Sequence, residues 1–267
     1  MWVDAHLHLD APEFDADREA VIARAVAAGV GLMVSAGTSV EGSRRAVALA
    51  EQYPNVRAAV GIHPSAAEDA TPGGLDVLAA LARHPRVLAV GEVGLDYYRE
   101  GVERRRQIDA FRAQIRLARE ADLPLVVHDR EAHADVDRIL EDEGATKVVL
   151  HCFTGTPERA LRCAAVGWML SLAGPVTFAN AGALREVAKR IPIDHLLLET
   201  DAPYLAPAPV RGRRCEPSFL VHTARVVAAL REIDGDAATK TPRSFEGPST
   251  CWLPSKRVVW SDCHPAS

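Results

Sequence analysis

The chain has 267 residues, 48% hydrophobic and 25% charged, an ordinary composition for a globular protein and enough apolar material for one sizeable core. Lys and Arg total 31 against 36 Asp and Glu, a formal net charge of -5, which excludes a broad basic surface for polyanions; any nucleic-acid contact must be local and assisted by cations. No apolar run approaches the roughly 18 to 20 residues of a membrane span, and Met1 to Asp10 carries two His and two Asp where an export signal would have basic and then apolar residues. We therefore expect a soluble, cytoplasmic, single-domain protein with no membrane association and no obligate protein partner.

Short apolar runs recur at 2–9, 31–37, 56–64, 87–96, 124–130, 147–153, 168–174 and 195–201, separated by Ala-, Arg- and Glu-rich segments of helical periodicity. Runs apolar at consecutive positions, such as 88–90, 148–150 and 196–198, suit strands covered on both faces, as in parallel sheets wrapped by helices. Eight such units predict an α/β fold, a closed (β/α)8 barrel of the TIM type spanning 1–234. Within the helix predicted over 103–120, Ile108, Phe111, Ile115 and Ala118 share one face, while Arg105, Arg112, Arg116 and Arg119 lie on another, read as solvated. Pro217 followed by 218–233 reads as the last barrel helix. Residues 235–267 lose the periodicity and hold several Pro, two of the four Trp and two of the five Cys. They read as an atypical tail, either a disordered extension or an out-of-frame ending. The cysteines (Cys152, Cys163, Cys215, Cys251, Cys263) are odd in number and lack CxxC spacing, so they read as free thiols. Cys152 is assigned to packing, since strand alternation points it away from His151.

The chemistry sits where the predicted strands end, the place barrel enzymes put their catalytic groups. The first strand ends in Asp4, His6, His8 and Asp10, the fourth in Glu92, the fifth in His128, the sixth in His151 and the eighth in Glu199 and Asp201. Residues two apart on a strand face the same way, so His6 and His8 can share an ion. His128 and His151 follow apolar strand cores, where a buried imidazole needs a partner. With Glu92 they form a second metal set. Glu92 lies between Gly91 and Gly94, which admit close backbone approach, and a carboxylate inside a barrel mouth is costly unless paired with a cation. Asp201 stands across the barrel seam from the first strand, where it can complete a metal site and accept a proton from water. Phosphate-binding glycine loops and a GxSxG elbow are absent from the sequence.

These positions together resemble the TatD family of metal-dependent deoxyribonucleases, part of the wider amidohydrolase-like barrels. The resemblance covers roughly residues 1–232 and rests on the blocks 4–10 (Asp4-Ala-His6-Leu-His8-Leu-Asp10), 61–64 (Gly-Ile-His-Pro), 91–98 (Gly-Glu-Val-Gly-Leu-Asp-Tyr-Tyr), 127–128, 151–155, 199–205 and 211–217. It implies that His6, His8 and Asp201 hold one divalent ion, that His128 and His151 hold another, and that Glu92 bridges them. It further implies that His63 faces the scissile phosphate. Two departures stand out. Cys215 occupies a position where the family usually has Asn, removing a loop-ordering amide, and 235–267 does not resemble the family's helical close.

The expected activity is hydrolysis of DNA phosphodiester bonds, on single strands or ends, by water activated between two divalent ions (Mg, Mn or Zn), with Asp201 and Glu92 as the catalytic carboxylates. The first rival is a related barrel hydrolase acting on an ester or amide, such as D-aminoacyl-tRNA. Glu92 on the fourth strand disfavours the relatives that use a carboxylated lysine as the bridge. A non-catalytic metal-binding protein would be marked by a missing ligand, and all six candidates are present.

Overall fold

A computed structural model describes residues 1–233 of the chain. The tail expected over 235–267, with Cys251 and Cys263, lies outside the described residues. Eight parallel strands run in sequence order around one sheet: β1 (Trp2–Leu7), β2 (Val30–Ala36), β3 (Val56–Val60), β4 (Val87–Asp96), β5 (Leu125–Arg130), β6 (Val148–Leu150), β7 (Met169–Leu172) and β8 (Leu196–Leu198). The seam between β1 and β8 is drawn together by backbone hydrogen bonds from Asp201 N to His6 O (3.0 Å) and from His8 N to Ala202 O (2.8 Å). The result is the expected (β/α)8 barrel. Around it lie α1 (Arg18–Ala27), α2 (Val40–Gln52), α3 (Pro72–Leu81), α4 (Arg104–Glu120), α5 (His133–Asp142), α6 (Pro157–Ala165), α7 (Gly182–Arg190) and α8 (Leu220–Leu230).

Local chemistry sets several helix starts. Ser39, Thr71 and Thr156 each accept a backbone N–H through the side chain, capping α2, α3 and α6, and Pro72 and Pro157 follow directly where a missing N–H costs nothing. The last helix starts later than expected because Pro217–Phe219 forms a separate 3-10 turn.

Strand alternation divides the apolar residues between two layers. Val126, Val149 and Leu197 belong to small clusters shared with residues such as Ala5, Val34 and Ala59, whereas their chain neighbours Leu125, Val127, Val148, Leu150 and Leu196 join the large cluster beneath the helices. Continuing the inward parity of Val126 and Val149 brings His128 and His151 to the barrel mouth. β1 and β4 differ. Ala5 packs in an inner cluster, which would turn His6 outward, and both Leu88 and Ala89 lie in one, so alternation fixes no side for Glu92; the ladder breaks register between Asp4 and Leu7 and again between Val90 and Val93. Such irregularities re-aim side chains, and here they direct His6, His8 and Glu92 inward.

The arginine stripe of α4 is engaged by its neighbours. Arg112 and Arg116 reach Glu143 at 2.7 and 2.9 Å, Arg112 also reaches Asp142, and Arg105 pairs with Asp109 on its own helix. Among the described residues, no helix is long and apolar enough to cross a membrane.

Candidate metal centre

Glu92 is buried at the centre of the mouth, and its two oxygens face two different groups of side chains. Oε2 lies 3.5 Å from Nε2 of both His6 and His8. Oε1 lies 2.8 Å from His128 Nδ1, 2.9 Å from His151 Nε2 and 3.6 Å from His63 Nε2. Asp201 joins the first group, its Oδ1 3.7 Å from His6 Nε2 and 3.4 Å from His8 Nε2. The six residues expected to form the metal site, and His63, therefore converge. Two of the donor groupings that could hold an ion, His6/His8/Glu92 and His63/Glu92/His128, meet at this carboxylate, and a third comprises His6, His151 and Glu199.

The glycines flanking Glu92 are required by close approach. A Cβ on Gly91 would come within 2.6 Å of the Val126 side chain, and one on Gly94, whose φ is +132°, within 2.0 Å of the His128 carbonyl oxygen. Neither position tolerates a side chain without moving β5.

The proton positions show what the cluster demands. His8 Nδ1 lies 3.1 Å from the carbonyl oxygen of Ala36, an atom that can only accept, so Nδ1 carries a hydrogen and the Nε2 lone pair of the neutral ring is aimed at Glu92 and Asp201. A lone pair and two carboxylates cannot satisfy one another. They need a shared cation, either a proton or a metal ion. In the protein alone, protons take that part. Burial opposes a charge on His8, but Asp201 and Glu92 outweigh it and raise the imidazolium to about 9. His151 and His128 are likewise raised against burial, by Glu92 with Glu199 and by Asp96 with Glu92, respectively. Burial would push Glu92 up, yet His151, His63 and His128 hold it well below the usual carboxylate range. Asp201 is lowered too, burial being overcome by His8. His6 is lowered by burial and by His151, onto which its ring stacks at 3.9 Å, and its Nδ1 is buried without a partner. These donors fit divalent cations: imidazoles and carboxylates, already charge-paired, converge around one shared carboxylate.

His63 is set differently. Its Nδ1 accepts from Ser65 N at 3.1 Å and pairs with Ser65 Oγ at 2.7 Å, which places the proton of the neutral ring on Nε2, the nitrogen facing Glu92. Burial pulls its pKa down to about 4, so the ring is neutral near pH 7 and offers an N–H to the mouth.

Several supporting residues were given no role from the sequence. Asp96 lies 3.3 Å from His128 Nε2, and its own Oδ1 is fixed by the N–H groups of Tyr98 and Arg99. Glu199, fully buried, accepts from Cys152 N at 2.6 Å and from Ser171 Oγ, and lies 3.5 Å from His151 Nδ1. Asp4 accepts from Thr200 N at 2.9 Å and Oγ1 at 2.5 Å, joining the first and last strands. Asp96 and Glu199 lie at strand ends, where the signal available was a second carboxylate four residues from Glu92 or two from Asp201, whereas Asp4 lies within β1, two residues before His6. Strand alternation does not apply to Cys152, because β6 ends at Leu150 and Cys152 has a φ of 44°. Burial raises its thiol, with Asp201, Glu199 and Glu92 adding to the shift. Cys152, Cys163 and Cys215 are free thiols, as expected. Cys215 is fully buried and its N–H donates to Pro203 O at 2.9 Å, while the loop it belongs to is tied down by Glu216 to Arg24 (2.7 Å) and Arg214 to Asp17 (2.8 Å).

A closed parallel barrel with histidines and carboxylates gathered at the C-terminal ends of its strands defines a class of barrel hydrolases that work through bound metal. Residues 3–242 match the model of the TatD related DNase family, and the chain belongs to that family of metal-dependent hydrolases. It is 44% identical over 235 residues to the uncharacterized metal-dependent hydrolase YabD of Bacillus subtilis, covering 87% of this chain and 92% of the relative. It is 41% identical over 242 residues to the 3'-5' ssDNA/RNA exonuclease TatD of Musicola paradisiaca, covering 88% and 92%. Among solved structures it superposes on YJJV, a TatD homolog from Escherichia coli, with a TM-score of 0.87 and 31% identity, covering 94% of this chain and 97% of that one.

Proposed function

We propose that this hydrolase cleaves phosphodiester bonds of DNA at single strands or ends, using two divalent ions. The observation that carries the reading is the division of Glu92, whose two oxygens face separate imidazole groups. His6, His8 and Asp201 would hold one ion, His128 and His151 the other, with Glu92 between them. Bound there, Mg, Mn or Zn would supply Lewis-acid polarisation of the phosphate and a lowered pKa for the attacking water. The chain supplies the rest. Asp201, kept ionised beside His8, is the carboxylate that takes the water's proton. His63 donates its Nε2–H to a phosphate oxygen, with Ser65 fixing the tautomer. Imidazoles and carboxylates held in place before substrate arrives need no rearrangement as charge develops. A concave mouth suits a flexible strand better than a stiff duplex, and the name of the Musicola paradisiaca relative supports a nucleic-acid substrate.

The test is degradation of end-labelled single-stranded DNA with Mg²⁺ or Mn²⁺, alongside EDTA and a variant carrying His128→Ala and Asp201→Ala. We expect metal-dependent cleavage by the wild type, abolished by EDTA and reduced at least about a thousandfold in the variant. A folded, metal-loaded wild type that leaves DNA intact refutes the nuclease reading and turns attention to ester substrates such as D-aminoacyl-tRNA.

A further inference from the structure

Among the described residues only two aromatic rings are exposed, Tyr98 at 58% and Tyr204 at 53%. Isolated surface aromatics are unremarkable, but these two share an address. Tyr98 lies two residues beyond the end of β4, the strand that carries Glu92, and Tyr204 three residues beyond Asp201. In an eight-stranded ring β4 and β8 stand on opposite walls, so the two rings flank the mouth from both sides. Tyr204 is 6.0 Å from the His8 ring, centroid to centroid. Burial raises its phenol, and the charges acting on it include Arg99, the neighbour of Tyr98, which places the two loops within electrostatic reach of each other. The Arg130 guanidinium sits 4.0 Å over one face of Tyr98, and the residue stays 58% exposed. Tyr97, by contrast, is half-buried with its hydroxyl donating to Asp135 at 2.7 Å; among the described residues no hydrogen bond holds the hydroxyl of Tyr98 or Tyr204.

We infer that Tyr98 and Tyr204 are stacking platforms for the nucleobases on either side of the scissile phosphate, so that the site selects unpaired nucleotides and not phosphodiesters in general. The inference rests on the nuclease reading and deepens it. Every base presents a π-face, so two such rings grip a strand without regard to sequence, while a base paired within a duplex is unavailable to them. Arg130 supports the Tyr98 ring from behind and adds one positive charge for the backbone. Two aromatic contacts also answer the problem set by the net charge of -5, because stacking provides affinity that does not depend on a basic surface.

The experiment compares steady-state cleavage by wild type, Tyr98→Ala, Tyr204→Ala and the Phe counterparts on two oligonucleotides, one ordinary and one whose terminal nucleotides lack bases. On ordinary single-stranded DNA each Ala variant is expected to raise KM about tenfold or more with kcat little altered, and each Phe variant to stay within about twofold of wild type. On the abasic strand wild type itself loses affinity, and the gap between it and the Ala variants closes to within about twofold. Ala variants with wild-type KM on ordinary DNA would overturn the stacking inference while leaving the nuclease reading intact. A wild type that cuts neither oligonucleotide defeats both.

Discussion

Two of the charged clusters among the described residues, the barrel mouth and the flank of α4, contrast in a way that separates buried chemistry from surface pairing. At the barrel mouth, His6, His8, Glu92, His128, His151 and Asp201 are largely withdrawn from water, and each lies 2.8 to 3.7 Å from Glu92 or from an imidazole or carboxylate beside it. On the flank, Arg112, Arg116, Asp142 and Glu143 pair across α4 and the end of α5 at 2.7 to 2.9 Å, with Arg116 56% exposed. The distances are alike. The environments are not, and burial decides what each pairing is for. Taking ions out of water costs several kcal/mol each, a cost that a fold of marginal stability does not retain without use. A solvated pair costs almost nothing and returns little.

The largest effect that sharpens this comparison comes from the layer behind the mouth. Glu199 touches neither Glu92 nor Asp201 in any contact described above, but lies 3.5 Å from His151 Nδ1 and accepts the Cys152 N–H. His151 Nδ1 has no hydrogen-bond partner, so Glu199 acts on that imidazole, whose other nitrogen faces Glu92, through its charge. Glu199→Gln keeps the shape and removes the charge. Outer carboxylates of this kind are worth about 10- to 100-fold in metal affinity, so titration of the metal-free variant with Mn²⁺ or Zn²⁺ is expected to show a weakening of that order. Unchanged affinity would mean that Glu199 only fastens the β6 and β7 loops.

A smaller effect appears in the pH dependence of folding. Burial raises the Asp4 carboxyl from its ordinary 3.8 to about 8, against hydrogen bonds from Thr200 that favour ionisation. The folded state thus binds a proton that the unfolded state has released between those values. Stability from this group is fully present below the unfolded pKa, declines as pH rises above it and is exhausted once pH passes about 8. Asp4→Asn removes this dependence. Melting temperatures recorded from pH 6 to 9 should fall for wild type relative to the variant, and parallel curves would assign Asp4 an ordinary carboxylate pKa.

The sequence disclosed the barrel because parallel strands wrapped by helices need near-continuous apolar runs, which β4, β6 and β8 display at 88–90, 148–150 and 196–198. It disclosed the candidate ligands because they terminate those runs. Strand ends were overestimated: β6 stops at Leu150 and β8 at Leu198, and the residues beyond leave the ladder in order to point at the mouth. Alternation could not have told which way His6 and Glu92 face, since register breaks in β1 and β4 reset the parity just before each. It did not apply to Cys152 at all, because β6 ends two residues earlier and the left-handed backbone there belongs to no strand. Asp96 and Glu199 stayed hidden among other strand-end carboxylates, because their role depends on which ring nitrogen each one faces, a relation between elements far apart in the chain.

The smallest effect is expected on the flank. Arg116 and Arg112 both reach Glu143, so replacing Arg116 leaves that carboxylate, 9% exposed, with a guanidinium still 2.7 Å away. The two arginines hold Glu143 near a pKa of about 2, but Arg116 is itself mostly in water and its pairing is screened accordingly. Arg116→Ala should shift the urea midpoint only slightly, since a solvated pair contributes little, an effect that shrinks further as salt is raised, and should leave DNA cleavage at the wild-type rate. Urea denaturation at low and high ionic strength measures the first, and the end-labelled strand assay the second. If cleavage of single-stranded DNA fell tenfold while stability held, the α4 arginines would be part of the path of the substrate strand, and the division between a chemical mouth and an inert flank would have to be redrawn.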